Sequence, residues 1–270
     1  MLPEELIKKI ALANGASVCG LAAAAPLAEH ERFLLALKEL PPSLAYLARE
    51  PQKRADIRNW FSGARSVLMC GFSYCTPGLD HKKTLESVGE PEAFLKRSGR
   101  KILQPGFFKA GNRRIARYAL APDYHAEVKK KLLKIIKDAK AEFPGFEGRA
   151  FVDTSPVLEK ELGRLAGLGF RGKNTLLINP RLGSYFVLGG VALNMEFAPD
   201  QVREGGCGGC ELCVKACPAG ALKDGGLLSA KCVSYLTTQA KEAIPEGAVS
   251  NSGGFAYGCD ICQEACPYNG

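Results

Sequence analysis

Four cysteines stand at Cys207, Cys210, Cys213 and Cys217, the last followed by Pro218, and three more at Cys259, Cys262 and Cys266, again followed by a proline. The spacing CxxCxxCxxxCP lets three thiolates hold three corners of an iron–sulfur cubane while the fourth reaches a neighbouring cluster. The tail run CxxCxxxCP is the same pattern with one ligand missing, and Cys232 is the only other cysteine in this part of the chain. Eight thiolates therefore meet the eight corners that two [4Fe–4S] clusters require. Crossed sharing predicts one cluster on Cys207, Cys210, Cys213 and Cys266 and the other on Cys217, Cys232, Cys259 and Cys262. Zinc also takes four thiolates, but from paired CxxC knuckles rather than three-cysteine runs ending in CP. Two adjacent clusters form a wire, so the expected chemistry is electron transfer to an acceptor held elsewhere in the chain.

The remaining three of the eleven cysteines, Cys19, Cys70 and Cys75, read as buried thiols. The N-terminus MLPEELIKKIALANGAS has acids and a helical period where an export signal would be basic and then apolar, and no apolar run reaches the ~18 residues of a membrane span. The expectation is a cytoplasmic protein without membrane contact, whose cysteines serve as ligands rather than disulfides.

Asp153 is the first carboxylate of interest, at the end of an apolar strand and just before a helix start. There it is either a turn-capping residue or an acid, and at a helix N-terminus acid chemistry needs burial to raise its proton affinity. Tyr124 and His125 open a lysine-rich helix and on their own read as a packed tyrosine and a surface histidine. GLGFRGKN (167–174) lacks the following helix and the acidic residue that would make a dinucleotide site. The net charge of +8 favours polyanionic partners, and its excess is local: residues 79–118 hold ten Lys/Arg against four acids.

These groups need a scaffold, and the apolar pattern supplies one. Helices are expected near the N-terminus, over 29–40 and over 123–143, the last capped by Asp123, stopped by Pro144-Gly145 and carrying Lys129, Lys130, Lys134, Lys137 and Lys140 on its solvated face. Strands are expected over 66–74 and 149–152, with a helix opened by Ser155 and Pro156. The runs 175–179 and 184–193 around PRLG suggest a hairpin. An α/β or α+β domain over 1–199 thus precedes a glycine- and cysteine-rich module over 200–270.

The segments IARYALAPDYH (115–125), FVDTSPVLEKELGRLAGLGFRGKNTLLINPRLGSYFVLGGV (151–191), KCVSYLTT (231–238) and YGCDICQEACPYN (257–269) resemble those of the epoxyqueuosine reductases. That resemblance runs almost the length of the chain. It implies a cobalamin in the N-terminal domain beside a ferredoxin-like module with two [4Fe–4S] clusters, and reduction of epoxyqueuosine in a tRNA anticodon to queuosine. It further implies Asp153 as proton donor, Tyr124 and His125 of the DYH motif near the substrate, and Lys173, Asn174 and Thr175 where the corrinoid is held. Electrons would come from an external donor such as a flavodoxin or ferredoxin. Many members continue beyond the CP motif near which this chain stops, at Gly270, so a differently built tRNA grip is expected, with the basic segment 79–112 as a compensating arm. The competing readings are a corrinoid-dependent reductive dehalogenase, typically exported behind a twin-arginine signal absent here, and an iron–sulfur electron carrier without its own substrate.

Overall fold

The computed structural model describes residues 1–74, 89–121, 123–223 and 225–270. Its first part contains α1 (Pro3–Ala13), β1 (Val18–Ala23), α2 (Glu29–Leu37), β2 (Ser66–Ser73), β3 (Arg114–Ile115), α3 (Tyr124–Glu142), β4 (Gly148–Phe151), α4 (Glu159–Leu165), β5 (Phe170–Arg171), β6 (Leu177–Ile178) and β7 (Phe186–Leu193). The second part adds α5 (Leu212–Ala216), α6 (Val233–Thr238), β8 (Phe255–Tyr257) and α7 (Ile261–Glu264).

The central sheet has the order β1-β2-β7-β4 and is antiparallel throughout, which makes the domain α+β. β2 reads as an unbroken apolar run because both faces of the sheet are covered. Leu68, Cys70 and Phe72 point to the side of α1 and α3, where Ile7, Leu132 and Ile135 are buried, and Val67 and Met69 point to the side of α4 with Leu162. α3 is the longest helix among the described residues, capped by the Asp123 side chain, which accepts the His125 N–H at 3.1 Å. Its stripe of Val128, Leu132, Ile135 and Ala139 is buried, at about 1.5–3 kcal/mol for each large side chain, while the five lysines named above are exposed. Glycine at position 20 is a packing requirement: a Cβ there would lie 2.0 Å from the Ala166 carbonyl oxygen at the end of α4.

Two expectations are corrected, and a third is narrowed. Ser155 does not open a helix: α4 begins at Glu159, because residues 153–158 form tight turns closed by Thr154 N–H to Val152 O and Val157 N–H to Ser155 O. Runs 175–179 and 184–193 do not pair as a hairpin either, since β6 pairs with β5 and β7 lies in the central sheet. The PRLG turn, held by the Asn179–Gly183 bridge, instead receives the C-terminal motif: Asn269 accepts the Ser184 N–H at 2.7 Å and donates to Ser184 Oγ at 2.9 Å. Nor is the basic segment a free arm over its described part. Leu95 and Phe107 are fully buried against residues of 235–257, and β3 pairs in parallel with β8. Arg100 donates to the carbonyls of Tyr118, Ala119 and Ala121 at 3.0–3.3 Å, and Arg114 is paired with Glu264 at 2.7 Å. Lys82, Lys83 and Cys75 lie outside the described residues, whereas Cys70 is buried and Cys19 half-buried.

Candidate functional site

Beyond β4 the chain turns sharply at Asp153, whose φ of +46° is in the left-handed region. That conformation costs a non-glycine residue about 1–3 kcal/mol and persists only where neighbours enforce it. Glu159, the first residue of α4, enforces it by accepting the Asp153 N–H at 2.6 Å. Since α4 starts six residues later, Asp153 does not cap it, and the helix start expected directly after Asp153 is absent.

α3 delivers the partner. His125 Nδ1 is 2.7 Å from Asp123 Oδ1 and Nε2 is 3.0 Å from Asp153 Oδ2, so the ring bridges two carboxylates, with Tyr124 stacked on it at 4.0 Å. Burial lowers the proton affinity of the imidazole, but the bonds to Asp123 and Asp153 raise it by more, and the net direction is upward. An imidazolium donates at both nitrogens, which is what this geometry accommodates. Glu159 is pushed up to about 8, by burial first and then by the charge of Asp153, so at neutral pH it carries a proton.

Asp153 and Glu159 border the first of three cavities in a row, which His125 reaches through Asp153. That cavity, about 400 Å³, is lined by Arg54, Asp153, Glu159, Lys160 and Thr175 together with apolar residues of α2. The next, about 350 Å³, is bordered by Cys217, Cys232, Cys259 and Cys262 and shares Lys160 and Thr175 with the first. The third, about 240 Å³, is bordered by Cys207, Cys210, Cys213 and Cys266, and Asn174 lines both cysteine cavities. Thus residues 173–175 run along the row: the Lys173 N–H donates to Cys207 Sγ at 3.3 Å, and Thr175, itself at φ +65°, accepts from Lys160 Nζ at 3.1 Å.

The donor chemistry suits iron–sulfur clusters. Among the described residues no three His, Cys, Asp or Glu side chains close on a single-ion position, whereas the thiols surround two larger spaces. Ala221 N–H donates to Cys217 Sγ at 3.3 Å, and the buried Asn174 amide nitrogen has no protein partner, leaving a donor beside sulfur-lined space. Burial pushes the Cys259 thiol up to about 12 and Cys262 higher still, so a cationic metal is needed to displace their protons.

A family model described as the 4Fe-4S double cluster binding domain matches residues 206–269, and one described as epoxyqueuosine reductase QueG, DUF1730, matches residues 54–154. The epoxyqueuosine reductase of Cyclobacterium marinum is 35% identical over 98% of this chain and 78% of its own length. The chain belongs to the epoxyqueuosine reductase family. Solved epoxyqueuosine reductases share its fold: the Streptococcus thermophilus structure superposes with a TM-score of 0.80 at 27% identity, covering all of this chain and 66% of that one. An epoxyqueuosine reductase holding an epoxyqueuosine-modified tRNA-Tyr stem loop gives 0.76 at 25% identity, covering 98% and 64%. The chain therefore spans about two thirds of the length of these solved epoxyqueuosine reductases. The catabolic reductive dehalogenase NpRdhA, at a TM-score of 0.55 and 16% identity, shares the fold alone.

Three residues of this site were not singled out for it in the sequence. Glu159 and Arg54 carried no sequence signal of their own, and Asp123 read as a helix cap only. The signal available for Asp123 was its place beside Tyr124 and His125, since a cap can also orient the side chain two residues on.

Proposed function

We propose that this chain is an oxidoreductase that reduces the epoxide of epoxyqueuosine in a tRNA anticodon, giving queuosine. The observation that carries the proposal is the row of cavities, which puts a protonatable cluster, His125–Asp153–Glu159, next to cysteine-lined space with Lys160 and Thr175 between them. The relatives' names and the tRNA stem loop bound to one of them support the same substrate.

Loss of the epoxide oxygen as water takes two electrons and two protons. Cys207, Cys210, Cys213 and Cys266 would hold one [4Fe–4S] cluster and Cys217, Cys232, Cys259 and Cys262 the other. Lys173, Asn174 and Thr175 would hold the cobalamin, which when bound supplies low-potential electrons at the substrate. The protein's share of the chemistry is the proton. Asp153 delivers it to the leaving oxygen, His125 resupplies Asp153 through the 3.0 Å contact, and Asp123 keeps the imidazole oriented and charged. Tyr124 fixes the ring by stacking, and Glu159 keeps Asp153 in its left-handed turn facing the cavity.

In this reading residues 1–199 hold substrate and corrinoid and residues 200–270 the wire, filled by an external flavodoxin or ferredoxin in the cytoplasm. Among the described residues no helix is long and apolar enough to cross a membrane. A bare electron carrier has no use for the His125–Asp153–Glu159 cluster. The test is anaerobic reconstitution with iron, sulfide and cobalamin, followed by assay of queuosine formation on epoxyqueuosine-tRNA. Turnover supports the proposal, and a fully loaded protein that binds the tRNA but forms no queuosine rejects it.

A further inference from the structure

Arg54 is 9% exposed, its Nε is fully enclosed without a hydrogen-bond partner, and the side chain lines the cavity that holds Asp153. Among the described residues it makes no hydrogen bond or ion pair; its guanidinium lies 5.5 Å from the Phe33 ring, and Tyr46 and Glu159 are near enough to act on its charge. Other cations of this cavity have partners: Arg171 and Arg32 share Glu29, Arg164 is paired with Glu161 at 2.7 Å, and Lys160 donates to the Thr175 carbonyl at 3.1 Å. Glu159 gives one oxygen to the Asp153 N–H, and Asp153 is engaged by His125. A buried guanidinium with unused donors is costly, and the compensation its planar fork favours is an oxyanion bound by its two terminal nitrogens.

We propose that Arg54 anchors a phosphodiester in the Asp153 cavity. Arg54 thereby becomes a binding residue distinct from the proton-handling group, and it fixes where an anionic part of substrate or cofactor enters. The phosphodiester comes either from the tRNA backbone beside the modified nucleotide or from the nucleotide loop of cobalamin. This choice of sources rests on the function proposed above, whereas the anion site rests on Arg54 and its cavity alone.

The experiment compares wild type with Arg54→Met, both cluster-loaded. Inorganic phosphate should raise the melting temperature of wild type and not of the variant, whose methionine keeps an apolar stem beside Phe33. Affinity is then measured for three probes: an epoxyqueuosine-modified anticodon stem loop, cobalamin, and cobinamide, which lacks the phosphodiester. A loss of about tenfold or more for the stem loop, with a smaller salt slope, assigns the phosphate to RNA. The same loss for cobalamin but not cobinamide assigns it to the corrinoid. Unchanged affinity for both the stem loop and cobalamin, or a wild type whose melting temperature does not respond to phosphate, overturns the proposal. Failure of the protein to turn over epoxyqueuosine-tRNA leaves the phosphate measurement standing, so the two readings fail separately.

Discussion

Replacing Glu159 by glutamine should make the protein's stability less dependent on pH. In the folded chain this carboxyl is pushed from its ordinary 4.5 up to about 8, by burial and then by Asp153. Because the folded state holds the proton more tightly than the unfolded one, the resulting stability is fully present below about pH 4.5 and is lost as pH rises through about 8. The full shift would be worth at most about 5 kcal/mol, and solvent reaching the half-buried carboxyl reduces the expected effect to about 2 kcal/mol. For a chain of this size that is about 4–8 °C in melting temperature. Asp260, raised to about 6 by burial, acts in the same direction over a lower window but is present in both proteins, so the difference between them isolates Glu159. Glutamine cannot lose a proton, yet its carbonyl can still accept the Asp153 N–H. The assay is anaerobic thermal melting of cluster-loaded wild type and Glu159→Gln from pH 5 to 8.5. Parallel curves, or a wild type that gains stability over the variant as pH rises, would refute the assignment of that proton to Glu159.

Removing the imidazole in His125→Gln should lower kcat by about tenfold or more and abolish the alkaline limb of the pH–rate profile, which in wild type follows loss of the proton that Asp123 and Asp153 hold on the ring. If the limb persists in the variant, His125 is not the group that titrates. Cys232→Ala should leave the first cluster intact and reduce bound iron from about eight to about four per chain, checked by metal analysis and EPR. An unchanged iron content would remove Cys232 from the ligand set. Charge reversal at Arg97 and Lys101, which have no ion pair among the described residues, should weaken tRNA binding and reduce its salt slope by about one per lost phosphate contact. Arg100→Glu should instead lower the melting temperature, because three backbone carbonyls lose their donor.

The cysteine-rich module was legible because ligand spacing is local: seven of the eight cysteines lie in two short runs whose geometry the chain itself imposes. α3 and β2 were legible for a related reason, since each carries a continuous apolar pattern. The Asp153 site was less so. Asp153 and His125 are 28 residues apart, and what joins them is the placement of β4 beside α3, which no local pattern states. The same holds for PRLG, whose turn chemistry was visible but whose role as a seat for Asn269 depends on residues 85 positions away. The basic segment was legible only as an excess of charge, because charge counts do not separate a guanidinium facing solvent from one, like that of Arg100, spent on backbone carbonyls.

The most direct test of the account is queuosine formation on epoxyqueuosine-tRNA by fully reconstituted wild type and Asp153→Asn under single-turnover conditions. Clusters, cobalamin and tRNA should bind equally to both proteins, while the variant forms queuosine about 10²-fold or more slowly, the usual contribution of a positioned acid. Equal rates in the two proteins would contradict the account, because the proton would then reach the leaving oxygen without Asp153.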